Sequence, residues 1–201
     1  MAESYIWRPN GGNYYSPQGY SDTAAYFVFY AVNRAFRLDF PELGALLGKD
    51  RKTIAIQSAK LRLTIISANA ATLTMGYNYE TDYAKRTALL AEKTGIVMNT
   101  QTGDMEIDLT QVVRAYCREG SNKPMRLWAY GTAGSTTYSY ARGYSPAASL
   151  AAQRPYLDIT FAESSFQIYS DGEWKSAAPY IYKNGAWQPA SVQFARNGAW
   201  Q

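Results

Sequence analysis

Asp104, Glu106 and Asp108 alternate with Met105 and Ile107, so on an extended strand the three carboxylates share one side. A pair of such acids is what glycosidic hydrolysis needs, and a row of carboxylate oxygens is what calcium takes. Exposed acidic residues next to Gly103 are, however, normally just a solvated turn. Other chemistry is scarce. The chain of 201 residues contains no histidine, which removes serine and cysteine triads, histidine-ligated metals and the commonest general base. Cys117 is the single cysteine, and without a histidine to activate it the thiol reads as a small buried residue. Arg142-Gly143 and Thr132-Ala133-Gly134-Ser135 lack the lysine that a phosphate loop places after its second glycine. These residues predict a non-enzymatic protein with no cofactor and no metal; a polysaccharide depolymerase using Asp104 and Glu106 is the weakest alternative.

The residues best placed to touch a partner lie near the carboxyl end. Trp174, Trp187 and Trp200 recur every thirteen residues, each two positions after a glycine, in Asp171-Gly172-Glu173-Trp174, Asn184-Gly185-Ala186-Trp187 and Asn197-Gly198-Ala199-Trp200. Asn-Gly and Asp-Gly favour two-residue type I′ turns because both central residues need positive φ, which predicts three hairpins. In the second, Lys183 then pairs with Ala186 and Tyr182 faces Trp187. By the same register Tyr169 faces Trp174 and Ala195 faces Trp200. Continued through Ser176-Ala177-Ala178-Pro179 and Pro189-Ala190-Ser191 as a meander, the hairpins would line these rings up on one face, with Ile168, Ile181 and Phe194 on the other. Tyr169, Trp174, Tyr180, Tyr182, Trp187 and Trp200 are therefore the candidate binding residues, for a neighbouring subunit or for a sugar ring, with packing onto the protein's own body as the plain alternative. The third hairpin has almost no return strand before Gln201, and an edge left open in this way invites completion by a partner, so an assembly contact is expected.

Composition sets bounds on the remainder. A net charge of +4, from 20 basic and 16 acidic residues without long runs, is too mild to point to nucleic acid. One cysteine leaves no internal disulfide framework and suits folding in a cytoplasm. The chain shows no apolar stretch of membrane-spanning length, and Met1-Ala2-Glu3-Ser4 does not begin like a signal peptide. Tyrosine is abundant, 18 against 7 phenylalanines, as suits half-buried strands and interfaces.

Period-two patterning supplies the scaffold. Strands are predicted at Tyr26–Val32, Ala35–Phe40 closed by Pro41, Thr53–Ile56 leading into Lys60–Ile65, Thr72–Tyr79, Met125–Tyr130 and Tyr156–Phe161. Turn signals around Pro9–Asn13 and Ser16–Gly19 break the first thirty residues into short extended pieces. Two segments read as helices. Thr81–Lys93, rich in alanine, leucine and charge, would end at Gly95. Asp108–Gly120 has Asp108 to cap, Gln111 to reach back, a stripe of Leu109, Val112, Val113 and Tyr116, and Gly120 to stop. The expected fold is all-β: a jelly-roll-like two-sheet sandwich with one short helix over 1–162, then a hairpin-repeat region over 163–201, hinged at Ala162-Glu163-Ser164-Ser165.

The succession Arg34–Phe40, Ile56–Leu63, Ile107-Asp108-Leu109-Thr110 and Arg154–Phe161 resembles the DNRLRE-type β-sandwich family, over roughly residues 25 to 162. The tail, Trp174-Lys175 through Pro179–Trp187, is similar to carboxyl-terminal repeats of structural proteins of tailed phages and prophages of Gram-positive bacteria. The resemblance of the tail implies a virion component, in a tail tip, fibre or head appendage, assembled in the host cytoplasm, with no catalytic residues to carry over. The expected partners are further copies of the chain, as a homotrimer or higher oligomer, and other virion proteins. The alternative is a carbohydrate-binding module that recognises host cell-wall glycan through the same rings. Neither nucleic acid nor membrane is expected as a partner.

Overall fold

The structure is a computed structural model that describes residues 2–16, 19–21, 26–30, 35–69, 71–98, 102–131, 140–163, 167–170, 173–176, 180–189, 195–196 and 199–200. In chain order the main elements are β1 (Glu3–Trp7), β2 (Gly11–Ser16), β3 (Gly19–Ser21), β4 (Tyr26–Tyr30), β5 (Ala35–Phe40), α1 (Leu43–Leu47), β6 (Ile54–Asn69), β7 (Ala71–Asn78) and β8 (Ala91–Met98). There follow β9 (Gly103–Asp108), α2 (Thr110–Glu119), β10 (Met125–Gly131), β11 (Tyr140–Tyr144) and β12 (Tyr156–Glu163). Three hairpins complete the chain: β13 (Gln167–Ser170) with β14 (Glu173–Ser176), β15 (Tyr180–Lys183) with β16 (Ala186–Pro189), and β17 (Ala195–Arg196) with β18 (Ala199–Trp200).

β1 to β12 make two antiparallel six-stranded sheets. In the first, β1 pairs with β12, β12 with β6, β6 with β11, and β11 with β4, while β9 also pairs with β6. In the second the order is β3-β2-β5-β10-β7-β8. Most consecutive strands from β4 to β11 change sheet, as they do in a double-sheet jelly roll. Alternation fills the space between the sheets. Ala59, Leu61, Leu63 and Ile65 of β6 point inward and share one buried cluster with Leu38 and Phe40 of β5 and Leu127 and Ala129 of β10. The all-β class expected from patterning is what the chain adopts.

Three features depart from the expectations. β1 closes one edge of the first sheet and buries Trp7, whose indole N–H donates to the Pro41 carbonyl at 3.1 Å. β6 is one long strand where two pieces were expected. Most clearly, Thr81–Lys93 is not a helix: only Tyr83–Lys85 makes a 3-10 turn, and Ala91–Met98 is β8, paired with β7. The segment between lies over the outer face of the second sheet. There Tyr83 and Leu89 pack on Trp128 and Ala35, the Trp128 indole N–H donates to Asn78 Oδ1 at 3.0 Å, and the Leu90 amide donates to the Tyr77 carbonyl at 2.8 Å. Covering a buried tryptophan and completing a ladder satisfied more backbone and apolar surface than an isolated amphipathic turn would. Gly95, read as a helix stop, has φ of 68° inside β8.

The other helix forms with the expected stripe and stop, but its N-cap position falls to Leu109, one residue after Asp108, with no side-chain cap bond. Leu109, Val112, Val113 and Tyr116 are buried, and Gly120 ends α2 with φ of 67°. Asp108 Oδ1 accepts from the Thr110 amide at 2.9 Å and from its hydroxyl at 2.5 Å. The Thr110 hydroxyl oxygen in turn accepts from the Ala59 amide at 3.0 Å, tying the start of α2 to β6. Gln111 does not reach back to close a capping box; its amide instead fits between Arg114 and the Trp187 carbonyl.

Candidate functional site

The middle hairpin forms in the register that its turn demands. Asn184 and Gly185 have φ of 54° and 77°, the two positive values of a type I′ turn, and Lys183 pairs with Ala186 and Tyr182 with Trp187. The flanking hairpins share the register: Tyr169 is opposite Trp174, and Ala195 is opposite Trp200. Each hairpin is a separate two-stranded ladder, and among the described residues no pairing joins one to the next, so the continuous meander does not form there. The side chains of Tyr169, Trp174 and Trp200, and those of Ile168 and Phe194, lie outside the described residues, as do the linkers at 177–179 and 190–194.

Tyr182 and Trp187 meet edge to face, with ring centroids 5.4 Å apart and planes at 63°. Both are open to solvent, Tyr182 at 61% and Trp187 at 46%, and Ile181 on the opposite face is 51% exposed. The end of the hairpin away from the turn is held. Arg114, in the middle of α2, is 7% exposed and has three backbone carbonyls as acceptors: Ile56 from Nε at 2.8 Å, Gln57 from Nη2 at 3.0 Å and Trp187 from Nη1 at 3.1 Å. One guanidinium thus joins α2, β6 and β16. Burial pulls its pKa down, and the nearby Tyr180 and Asp108 oppose that shift. Tyr180 turns towards the body, where Arg118 lies 5.5 Å over its ring and its hydroxyl is buried with no hydrogen-bond partner among the described residues. Burial raises that hydroxyl's pKa. The result is a ribbon fixed at its base, presenting an aromatic pair beside Lys183 and Asn184 at its tip.

Set against known protein families and curated proteins, the chain matches none.

The other chemistry-bearing residues sit elsewhere and are occupied. Asp104, Glu106 and Asp108 do line one side of β9 next to β6. Glu106 bonds Lys60 at 2.8 Å and Arg62 at 2.7 Å, Asp104 accepts from the Thr64 hydroxyl at 2.8 Å, and Asp108 accepts from the Thr110 amide and hydroxyl just before α2. The Lys60 bond holds the Glu106 carboxyl below its ordinary range. This is a cross-strand ion-pair ladder on an open face. Among the described residues no three His, Cys, Asp or Glu side chains gather as a metal site. Cys117 is buried, and desolvation pushes its thiol up to about 12, which disfavours the thiolate.

Sequence reasoning missed Arg114. The available signal was a lone cation in the middle of an otherwise apolar helix stripe, flanked by Val112, Val113, Tyr116 and Cys117. Its acceptors on β6 and β16, 57 to 73 residues distant, gave no local sign.

Proposed function

We propose that this chain is a non-enzymatic structural component of a tailed-phage virion, in a tail tip, fibre or head appendage, that acts through subunit contacts made by its carboxyl-terminal hairpins. The observation that carries the reading is the exposed Tyr182–Trp187 pair on a hairpin pinned to the sandwich by Arg114. Large rings held rigidly in solvent lose little entropy on contact and are the side chains that dominate association energies. The resemblance of the tail to phage structural repeats supplies the setting. Further copies of the chain and neighbouring virion proteins are the partners, and assembly takes place in the host cytoplasm.

Light scattering after size exclusion tests this on three forms: the intact chain, a version ending at Glu163, and Trp187→Ala. The intact chain is expected to be a homotrimer or larger, and the truncated one a monomer. A monomeric mass for all three rejects the reading.

Recognition of host cell-wall glycan is the second reading. It is favoured by the polar groups of Lys183 and Asn184, exposed beside the two rings, since sugar sites combine a stacking ring with hydrogen-bond donors. Under it, Trp187→Ala abolishes sedimentation with purified host walls, and sedimentation that survives the substitution excludes it.

A further inference from the structure

A second aromatic surface lies on the outer face of the first sheet, where β11 pairs with β4. Ala141 and Gly143 are buried, so alternation turns Tyr140, Arg142 and Tyr144 outward. Tyr144 stands opposite Tyr26, with ring centroids 5.3 Å apart, and Tyr26 is 38% exposed. The exposed guanidinium of Arg142 lies 4.4 Å over the Tyr26 ring. Among the described residues no carboxylate pairs with it, whereas Asp104 and Glu106 of the same sheet are engaged by Thr64 and by Lys60 and Arg62. Across the ladder from Arg142 is Ser67 of β6, which adds a hydroxyl.

We propose that this patch binds an acidic saccharide. Stacking on Tyr26 restrains the Arg142 fork while no hydrogen bond among the described residues takes up its N–H edges, and two parallel N–H donors match the two oxygens of a carboxylate. Tyr26 and Tyr144 supply ring surface for the apolar face of a pyranose, and Ser67 a donor or acceptor for its hydroxyls. Charge decides the class of ligand: the patch centres on a cation whose counter-charge the described protein does not provide, so an anionic sugar completes it where a neutral one leaves the guanidinium unpaired.

The test is calorimetric titration of the intact protein with a short galacturonate oligomer and with the galactose oligomer of equal length, which differ only in the carboxylates. Binding of the galacturonate alone is expected. Arg142→Gln and Tyr26→Ala should each weaken it by about tenfold or more, and Arg142→Lys should weaken it while preserving net charge. Trp187→Ala should leave it unchanged, which separates this site from the hairpin contact. The proposal is overturned by equal binding of both oligomers, by no binding of either, by retention of affinity in Arg142→Gln, or by loss of affinity in Trp187→Ala. A change in oligomeric mass in Arg142→Gln would likewise overturn it, by assigning the patch to a contact between copies.

Discussion

Arg114 is buried with no carboxylate bonded to it among the described residues, and its charge is met by carbonyl oxygens from β6 and β16, with Asp108 near enough to favour the charged form. Arg114→Ala removes three charge-assisted hydrogen bonds and leaves those acceptors unmatched, for a loss of about 2–4 kcal/mol in urea unfolding. Protease cleavage within 163–201 should accelerate in the same variant. Trp187 works the other way. With its ring half in solvent, Trp187→Ala should change folding stability by less than about 1 kcal/mol but weaken self-association by roughly 2 kcal/mol, about thirtyfold, in sedimentation equilibrium. Three carboxyls make folding sensitive to acid, one of them the Glu106 held by Lys60. Glu119 sits below its ordinary range: burial opposes its charge, and hydrogen bonds from the Tyr79 hydroxyl and the Ser121 amide outweigh that. Asp108 behaves alike through Thr110. A pKa depressed by folding stabilises the native state above the ordinary carboxylate pKa, and that contribution disappears as the pH falls through the folded value. Asp108→Asn and Glu119→Gln should therefore flatten the acid limb of a stability–pH curve and leave the alkaline limb alone.

At the level of elements, two glycines show how backbone constraints select structure. Gly185 has φ of 77°, and a side chain there strains the turn, so Gly185→Ala should cost the middle hairpin about 1 kcal/mol and speed amide exchange over 180–189 while exchange in β6 and β10 stays as before. Gly76 is different: its φ is ordinary, but a Cβ would stand 2.4 Å from the Ala91 carbonyl oxygen and 2.6 Å from Leu89. Gly76→Ala should force β8 and the 81–90 segment off β7, a loss of about 1–3 kcal/mol by thermal unfolding. That close approach belongs to the same covering segment that replaces the helix expected at Thr81–Lys93.

Across the whole molecule, the core and the exposed hairpin rings occupy separate parts of the chain. The continuous buried cluster draws its residues from Trp7 to Phe161, and the described hairpin residues contribute none to it. A chain ending at Glu163 should accordingly keep a single cooperative unfolding transition, with a stability lower by no more than the Arg114 and Tyr180 contacts, while its oligomeric mass falls.

Local rules written into the residues decided much of this protein. Alternation in Lys60–Ile65 and Ala35–Phe40 placed the inward faces, Asn184-Gly185 determined which side chains meet across the hairpin, and Leu109–Tyr116 with Gly120 specified the helix and its end. Each is an interaction among residues a few positions apart, which a period or a turn type can encode. Tertiary structure alone decided the rest: that Glu3–Trp7 pairs with β12 at the other end of the sandwich, that 81–98 covers Trp128 and extends a sheet, and that Arg114 reaches Trp187. Those outcomes depend on which buried donors and acceptors and which apolar surfaces remain unsatisfied once the sheets have met, a competition between residues far apart in sequence that no local pattern records.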